Sequence, residues 1–377
     1  MKEKYVIVIS WNGFPQQGAA SFREDAFSHI YEDLGYRVYH IVRGSARRFG
    51  HRRRMAYVSA NLEGNSWKKL QNYFRFRDKV EWITKRLIRK HGYPSLIQTV
   101  GQYPITIALV KQIAMEHGVK IVHDQGEWYS ACEFTLGCFD YAYVLCQYAT
   151  RFAVRKPYSV TVVSRYLEAH YRSLGLRTLR IPALMNIGEY GYIPRHDIGK
   201  IVLVYAGSPA KKDYLWMIVE SFMRLDRKIR HRFVFHIYGV EHSYIKSDIP
   251  DEMIVHGHVG RKEVLLQLQR SDFSLLLRPS EERYTKAGFP SKVAEAMMCG
   301  CAMLCNYSSD LELYLQNNYN ACICDECSSA SMQKTLEKIS EYPHEKLSNM
   351  KKNARITGET YFDYRRYIES VRKFLSL

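Results

Sequence analysis

The chain has 377 residues, 46% of them apolar and 25% charged, enough for two or three domains with cores of their own. That balance excludes a disordered chain, a collagen-like repeat and a small disulfide scaffold. Lys and Arg outnumber Asp and Glu by 55 to 38, a net charge of +17, which points to an anionic partner: nucleic acid, a membrane surface or a phosphorylated substrate.

Met1 to Ser10 has only a short apolar run, without the long apolar stretch and small-residue cleavage site of a signal peptide. With no window of about 18 uninterrupted apolar residues, a cytoplasmic location is expected. The first half then alternates short apolar strands with longer helical stretches. Tyr5–Ile9 reads as a strand, Ser21–Leu34 as a helix ended by Gly35, and Arg37–Val42 as a strand. Leu96–Val100, the helix Ile105–His117, the strand Val119–Val122, the strand Ser159–Val163 and a helix from Ser164 to Leu174 continue it. Such alternation predicts a parallel sheet with helices on both faces.

Segment 37–93 departs from this pattern. It holds Arg43, Arg47, Arg48, Arg52, Arg53 and Arg54, then mixes Trp67, Tyr73, Phe74, Phe76 and Trp82 with Lys and Arg. Two readings stand: a helical excursion lying on anionic lipid, or a solvated helix pair packed on the sheet. Nucleic acid is not an expected partner, because no helix-turn-helix, zinc-finger or RNA-binding signature accompanies the charge.

Pro182, Gly188, Gly191, Pro194 and Gly199 weaken the pattern, so a linker is placed at 188–199 between domains 1–187 and 200–360. The alternation restarts with the strand Lys200–Ala206, the helix Tyr214–Leu225, the strand Phe233–Tyr238 and the helix Arg261–Arg270. The strand Phe273–Leu277, the helix Ser291–Cys299 and the strand Cys301–Cys305 follow. The nine cysteines read as reduced thiols. Cys322, Cys324 and Cys327 match no common zinc spacing, and no metal site is expected.

In open α/β sheets, ligands bind beyond the carboxyl ends of the strands, which directs attention to four loops. Gly13 to Ala20, including Gly18 and Ala19, follows the first strand; it is neither a GxGxxG fingerprint nor a P-loop. Gly207-Ser208-Pro209-Ala210-Lys211-Lys212 places cations at a helix entrance, where a bound anion would relieve them; a plain surface turn is the other reading. His123, Asp124 and Glu127 follow a strand and suit either sugar hydroxyls or a helix-capping network. The fourth loop runs from Arg278 through Gly288-Phe289-Pro290-Ser291 to Lys292. There the free N–H groups of a helix start favour phosphate, with Glu295 on the same helix face.

The run from Asp272 through Leu304 resembles the donor-site signature of the retaining GT-B glycosyltransferases of glycosyltransferase family 4 (group 1). Glu295-Ala296-Met297-Met298-Cys299-Gly300 and the apolar strand after it carry the likeness. The Gly207 loop resembles the family's phosphate loop, with Lys212 in the phosphate role, and the Gly13…Gly18 loop resembles its first-domain glycine loop. The pattern's first glutamate is replaced here by Ala287. The resemblance implies a GT-B α/β fold, two Rossmann-like doubly wound parallel-sheet domains facing a central cleft, with 361–377 crossing back to the first. It also implies retaining, metal-independent transfer of a sugar from a UDP- or GDP-sugar, with no resident cofactor. The acceptor would be a glycan hydroxyl, lipid-linked, in capsule, exopolysaccharide or lipopolysaccharide synthesis. On the lipid-lying reading of its composition, segment 37–93 would take an anionic membrane surface as a further partner.

In this picture Gly13, Gly18, Ala19, Gly207, Ser208, Lys212, Arg278, Gly288, Phe289, Pro290, Ser291, Lys292 and Glu295 hold the donor. Tyr238, Gly239, His258 and Val259 edge the base. His123, Asp124 and Glu127 meet the acceptor, and Lys212, Lys292, His123 and Asp124 assist the reaction. Two other functions fit the sequence less fully: a nucleotide-sugar epimerase of the same architecture, and a basic nucleic-acid-binding protein.

Overall fold

Short apolar runs separated by helices build two parallel sheets in this computed structural model, which describes residues 4–11, 19–43, 54–58, 66–196, 199–208, 212–245 and 248–376. The chain divides into two compact units, Met1–Pro182 with Tyr364–Leu377, and Ala183–Asp363.

The first unit contains β1 (Tyr5–Ser10), β2 (Arg37–Arg43), β3 (Arg54–Val58), β4 (Leu96–Val100), β5 (Lys120–Gln125), β6 (Ser159–Val162) and β7 (Thr178–Arg180). They lie in the order β3-β2-β1-β4-β5-β6-β7 and pair in parallel. β1 and β4 are buried at every position, as expected of strands covered on both faces. Gly118, with φ 66°, ends the helix Pro104–His117 in a left-handed cap. Tyr364–Leu377 complete this unit: Tyr364 stacks on His29 with ring centroids 5.2 Å apart, and Arg177 donates to the Lys373 carbonyl at 3.1 Å.

The second unit contains β8 (Ile201–Ala206), β9 (Phe233–Tyr238), β10 (Met253–Val255), β11 (Phe273–Leu276), β12 (Ala302–Asn306) and β13 (Ala321–Cys324), in the parallel order β10-β9-β8-β11-β12-β13. Strand order reverses between β8 and β11. The crevice beyond the carboxyl ends of such a pair is the physical binding position in an open α/β sheet.

Three features differ from the sequence reading. β3 falls within the segment expected to be a helical excursion, where it extends the sheet beside β2; the helix Ser66–His91 follows it. Residues 188–196, placed in a linker, belong to the second unit: Arg355 donates to the Tyr190 carbonyl at 2.9 Å, and Arg195 pairs with Asp272 at 2.8 Å. The short strands β7, β10 and β13 escape a search for long apolar runs. The nine cysteines are free thiols, and burial pushes Cys322 up to about 11 and Cys324 up to about 12.

The helix Ser291–Met298 is seated by the helix His344–Tyr361, where Gly358 allows a backbone-to-backbone approach. A Cβ there would stand 2.7 Å from the Met297 carbonyl carbon and 2.8 Å from the Met298 nitrogen. We expect Gly358→Ala to cost about 1–3 kcal/mol and to lower Tm by roughly 2–4 °C per kcal/mol, readable by calorimetry.

Candidate functional site

The site in the second unit begins with two glycines. β8 leads into Gly207, and β9 into Gly239, whose φ is 87°. A Cβ on Gly239 would lie 2.8 Å from the carbonyl carbon and oxygen of Gly207, so only glycine lets these two loops close on each other. Gly207 N–H donates to the Tyr238 carbonyl at 3.1 Å, and Gly239 N–H to the Gly257 carbonyl at 2.8 Å.

β11 delivers the next segment. Asn306 Oδ1 accepts from Arg278 N–H at 3.0 Å while its Nδ2 donates back to the Arg278 carbonyl at 2.8 Å, fixing the loop against β12. The turn through Gly288-Phe289-Pro290 is held by packing: the Phe289 ring lies 5.5 Å from Tyr314 and 5.7 Å from Phe362. Phe289, expected at the donor, is therefore an anchor of the turn. The helix Ser291–Met298 starts after Pro290 with no capping side chain among the described residues, which leaves its N-terminal dipole available to an anion.

These loops converge on Asp213. Lys292 Nζ pairs with Asp213 Oδ2, Arg278 Nε with Oδ1 at 2.6 Å, and the Tyr205 hydroxyl donates to Oδ2 at 3.2 Å. The Lys292 ammonium also sits 4.4 Å above the Tyr205 ring and 3.2 Å from the place of a Gly207 Cβ. Burial pushes the Asp213 carboxyl up, but Lys292 and Arg278 outweigh it and hold the group below its ordinary range. Burial pulls the Lys292 ammonium down, opposed by Asp213. Two cations facing one carboxylate leave a positive surplus at the helix start, the electrostatic form of a diphosphate site.

Glu295, one turn on, meets Arg261 Nη2 at 3.4 Å. That guanidinium donates to the Tyr190 hydroxyl at 2.7 Å and reaches Glu189 at 3.5 Å. Burial raises the Glu295 carboxyl, with Arg261 and then Lys292 opposing. Ala287, where the family pattern has its first glutamate, is fully buried.

Of the other donor residues expected, Ser208 is exposed and Lys212 Nζ lies 6.0 Å from the Tyr284 ring centroid. Gly13 and Gly18 fall outside the described residues, and Ala19 opens the helix Ala19–Asp33. At the expected base edge, Tyr238 stacks on His256 with centroids 4.2 Å apart and planes 4° from parallel. His258 is exposed, 4.0 Å from Glu241, and Val259 is half-buried.

His256 Nε2 lies 2.9 Å from His236 Nδ1, and burial, aided by His256, pulls His236 down to about 4 from an ordinary 6.5. The unfolded chain therefore takes up this proton near pH 6.5 and the folded one only near 4. The associated stability is full above pH 6.5 and is lost as pH falls toward 4, by about 1–2 kcal/mol once partial exposure is allowed for. Between pH 7 and 4.5, His236→Gln is expected to lose a few degrees less of Tm than the wild type.

In the first unit the expectation for His123 and Asp124 needs correction. β5 runs on to Gln125, so both side chains belong to the buried sheet instead of a loop. His123 Nδ1 lies 2.9 Å from Thr99 Oγ1 and its Nε2 2.7 Å from Gln125 Oε1; burial pulls the imidazole down. Asp124 pairs with Arg23 at 2.8 Å and accepts from Thr161 at 2.6 Å. Glu127 is the member of the trio beyond the strand. It is half-buried, and its carbonyl accepts from Gln102 and Gln125 at 2.5 Å each.

Sequence reasoning missed Asp213, Tyr205, Arg261, Tyr190 and Glu189. Asp213 had a local signal, a carboxylate directly after Lys211-Lys212. Arg261 had a weaker one, a cation at the first position of a helix, where the dipole disfavours it.

Residues 193–357 match the family model of glycosyl transferases group 1. No curated protein sequence matches the chain. Among solved structures, sucrose-phosphate synthase from Thermosynechococcus elongatus is similar at a TM-score of 0.75 and 14% identity, over 99% of this chain and 98% of that one. HepE of Anabaena, in complex with UDP and glucose, is similar at 0.68 and 14%, over 99% and 100%. WaaG, a glycosyltransferase involved in lipopolysaccharide biosynthesis, is similar at 0.70 and 12%, over 98% and 99%. The chain thus has the two-domain α/β architecture of the GT-B fold, and its second unit matches the glycosyl transferases group 1 family.

Proposed function

We propose that this protein transfers a sugar, with retention of anomeric configuration, from a nucleoside diphosphate sugar to a glycan hydroxyl. The observation that carries the reading is the convergence of Lys292 and Arg278 on Asp213 beside the uncapped start of the helix Ser291–Met298. There the donor's diphosphate takes over the cations that Asp213 orients, and Glu295 faces the ribose hydroxyls. As the bond from the anomeric carbon to the diphosphate oxygen breaks, charge grows on the leaving group. Lys292, Arg278, Lys212 and the helix dipole stabilise it. The acceptor oxygen bonds the same face of the sugar, and its proton passes to the departing phosphate. These cations supply the charge stabilisation that a divalent metal provides elsewhere, so no resident cofactor or metal enters the scheme.

The HepE complexes contain UDP and UDP-glucose, which makes a UDP-sugar the first donor to try, with GDP-sugars second. The likeness to WaaG supports a lipid-linked acceptor in cell-surface polysaccharide synthesis. The test is a thermal-shift screen with UDP, GDP and their sugars, followed by transfer assays with and without EDTA and NMR of the product anomer. The expected results are a nucleotide-dependent rise in Tm, an EDTA-resistant reaction and a retained anomer. An acceptor-independent conversion into a second sugar nucleotide would instead identify an epimerase.

A further inference from the structure

The charge of this chain is divided unequally. The first unit holds 32 Lys and Arg against 15 Asp and Glu, the second 23 against 23. The whole surplus of +17 therefore belongs to the unit that lacks the candidate diphosphate site, and Arg43 is one of its cations.

Strand order in the first sheet reverses between β1 and β4. The carboxyl ends of those strands flank the position where an open α/β sheet binds ligands. Three adjacent strands each deliver one residue to that edge. Arg43 closes β2, Trp11 follows β1, and Tyr103, after β4, precedes the helix Pro104–His117. The Arg43 guanidinium lies 5.3 Å from the Trp11 ring centroid, and the Trp11 and Tyr103 centroids are 4.6 Å apart. Tyr73 and Phe76 meet the Trp11 ring edge-on at 5.7 and 4.9 Å, and the Tyr73 hydroxyl accepts from the Ile105 N–H at 3.4 Å. The indole is fixed by its neighbours, and it holds the guanidinium by cation–π attraction.

What the guanidinium lacks is an anion. Arg23, Arg195 and Arg278 have little exposed side chains, and each meets an Asp at 2.6 to 2.8 Å. Arg43 is half-buried, and burial pulls its guanidinium down with only Tyr103 opposing. Among the described residues no carboxylate pairs with it, and its Nη1, withdrawn from water, has no hydrogen-bond partner. The adjoining stretches 12–18 and 44–53 contain no Asp or Glu in their sequence. Two more polar atoms at this edge are unsatisfied among the described residues: Gln102 Oε1, next to Tyr103 in the chain, and Thr106 Oγ1. Both residues are buried, and Thr106 lines a small cavity with Trp11, Phe76 and Tyr103. Polar groups withdrawn from water without partners cost free energy. An incoming oxyanion recovers that cost at a guanidinium.

We infer that Arg43 reads an oxyanion, a carboxylate or a phosphate, carried by the acceptor saccharide. The guanidinium donates to its oxygens, a task that His123 and Asp124, enclosed in the sheet, leave open. Naming the saccharide as acceptor rests on the transfer reading above; oxyanion binding at Arg43 does not.

The test is a saturation-transfer NMR titration of the full chain with glucuronate, glucose 6-phosphate and glucose as probes. UDP is kept saturating, so that the cations of the second unit are covered. One of the two anionic sugars should bind at least about tenfold better than glucose, the effect of a charge-assisted hydrogen bond, and the winner tells carboxylate from phosphate. Arg43→Gln should abolish that preference while keeping the UDP-dependent rise in Tm. Should Arg43→Gln misfold, Arg43→Lys keeps the charge without the planar fork and should lose about threefold or more of the preference. Equal binding of the three sugars by the wild type overturns the inference. So does an unchanged preference in Arg43→Gln, or in Arg43→Lys where the glutamine variant misfolds, and so does a preference that only Lys292→Ala removes. Absence of any UDP shift, with Arg43-dependent binding intact, would defeat the transfer reading and leave the oxyanion site standing.

Discussion

Lys292→Ala is expected to lower kcat/KM for transfer by about 100- to 1000-fold, the usual effect of deleting one preorganised charge from a developing anion. Lys292 is placed for this by four constraints: the Asp213 carboxylate, the Tyr205 ring 4.4 Å below it, the bare backbone of Gly207, and its position in the first turn of its helix. Lys292→Arg, keeping the charge with a bulkier head beside Gly207, should recover part of the rate. The deletion leaves Asp213 with Arg278 and Tyr205, so the protein should fold with a loss of only about 1–2 kcal/mol. A transfer rate within about threefold of wild type would remove Lys292 from the reaction.

Asp124→Ala is expected to act on the fold. The carboxylate neutralises Arg23, a buried guanidinium that also donates to the Ile181 and Pro182 carbonyls at 3.0 and 2.6 Å. Removing it strands a positive charge inside the first unit, a change worth about 3–5 kcal/mol and roughly 10 °C of Tm. The double variant Arg23→Met, Asp124→Leu should recover much of the loss, because it removes both charges together. Calorimetry of the single and double variants decides the matter. Unaltered melting by Asp124→Ala together with a raised acceptor KM would return Asp124 to the acceptor role suggested by the sequence.

That contrast marks where the sequence was informative. The strand ending near Leu277, the helix carrying Lys292 and Glu295, and their shared face are local features: each is written in apolar runs and i,i+3 spacing, and each is present in the structure. The partners of those residues are not local. Asp213 meets Lys292 across 79 positions of sequence because β8 and β11 are neighbours in the sheet, and Arg261 reaches Glu295 across 34. Pairings of this kind follow from strand order, which periodicity does not encode. His123 and Asp124 show the converse difficulty. Polar residues after an apolar strand read as a loop, yet Arg23, Thr99, Thr161 and Gln125 satisfy them inside the sheet and the strand continues.

Everything in the transfer scheme depends on a diphosphate binding where β11 turns into the helix Ser291–Met298. A crystal structure of the protein with UDP decides this. Phosphate oxygens are expected within about 3 Å of Lys292 Nζ, at the N-terminus of that helix, with the Glu295 carboxylate toward the ribose. A nucleotide bound at another place on the chain, with Lys292 still held by Asp213 alone, would contradict it.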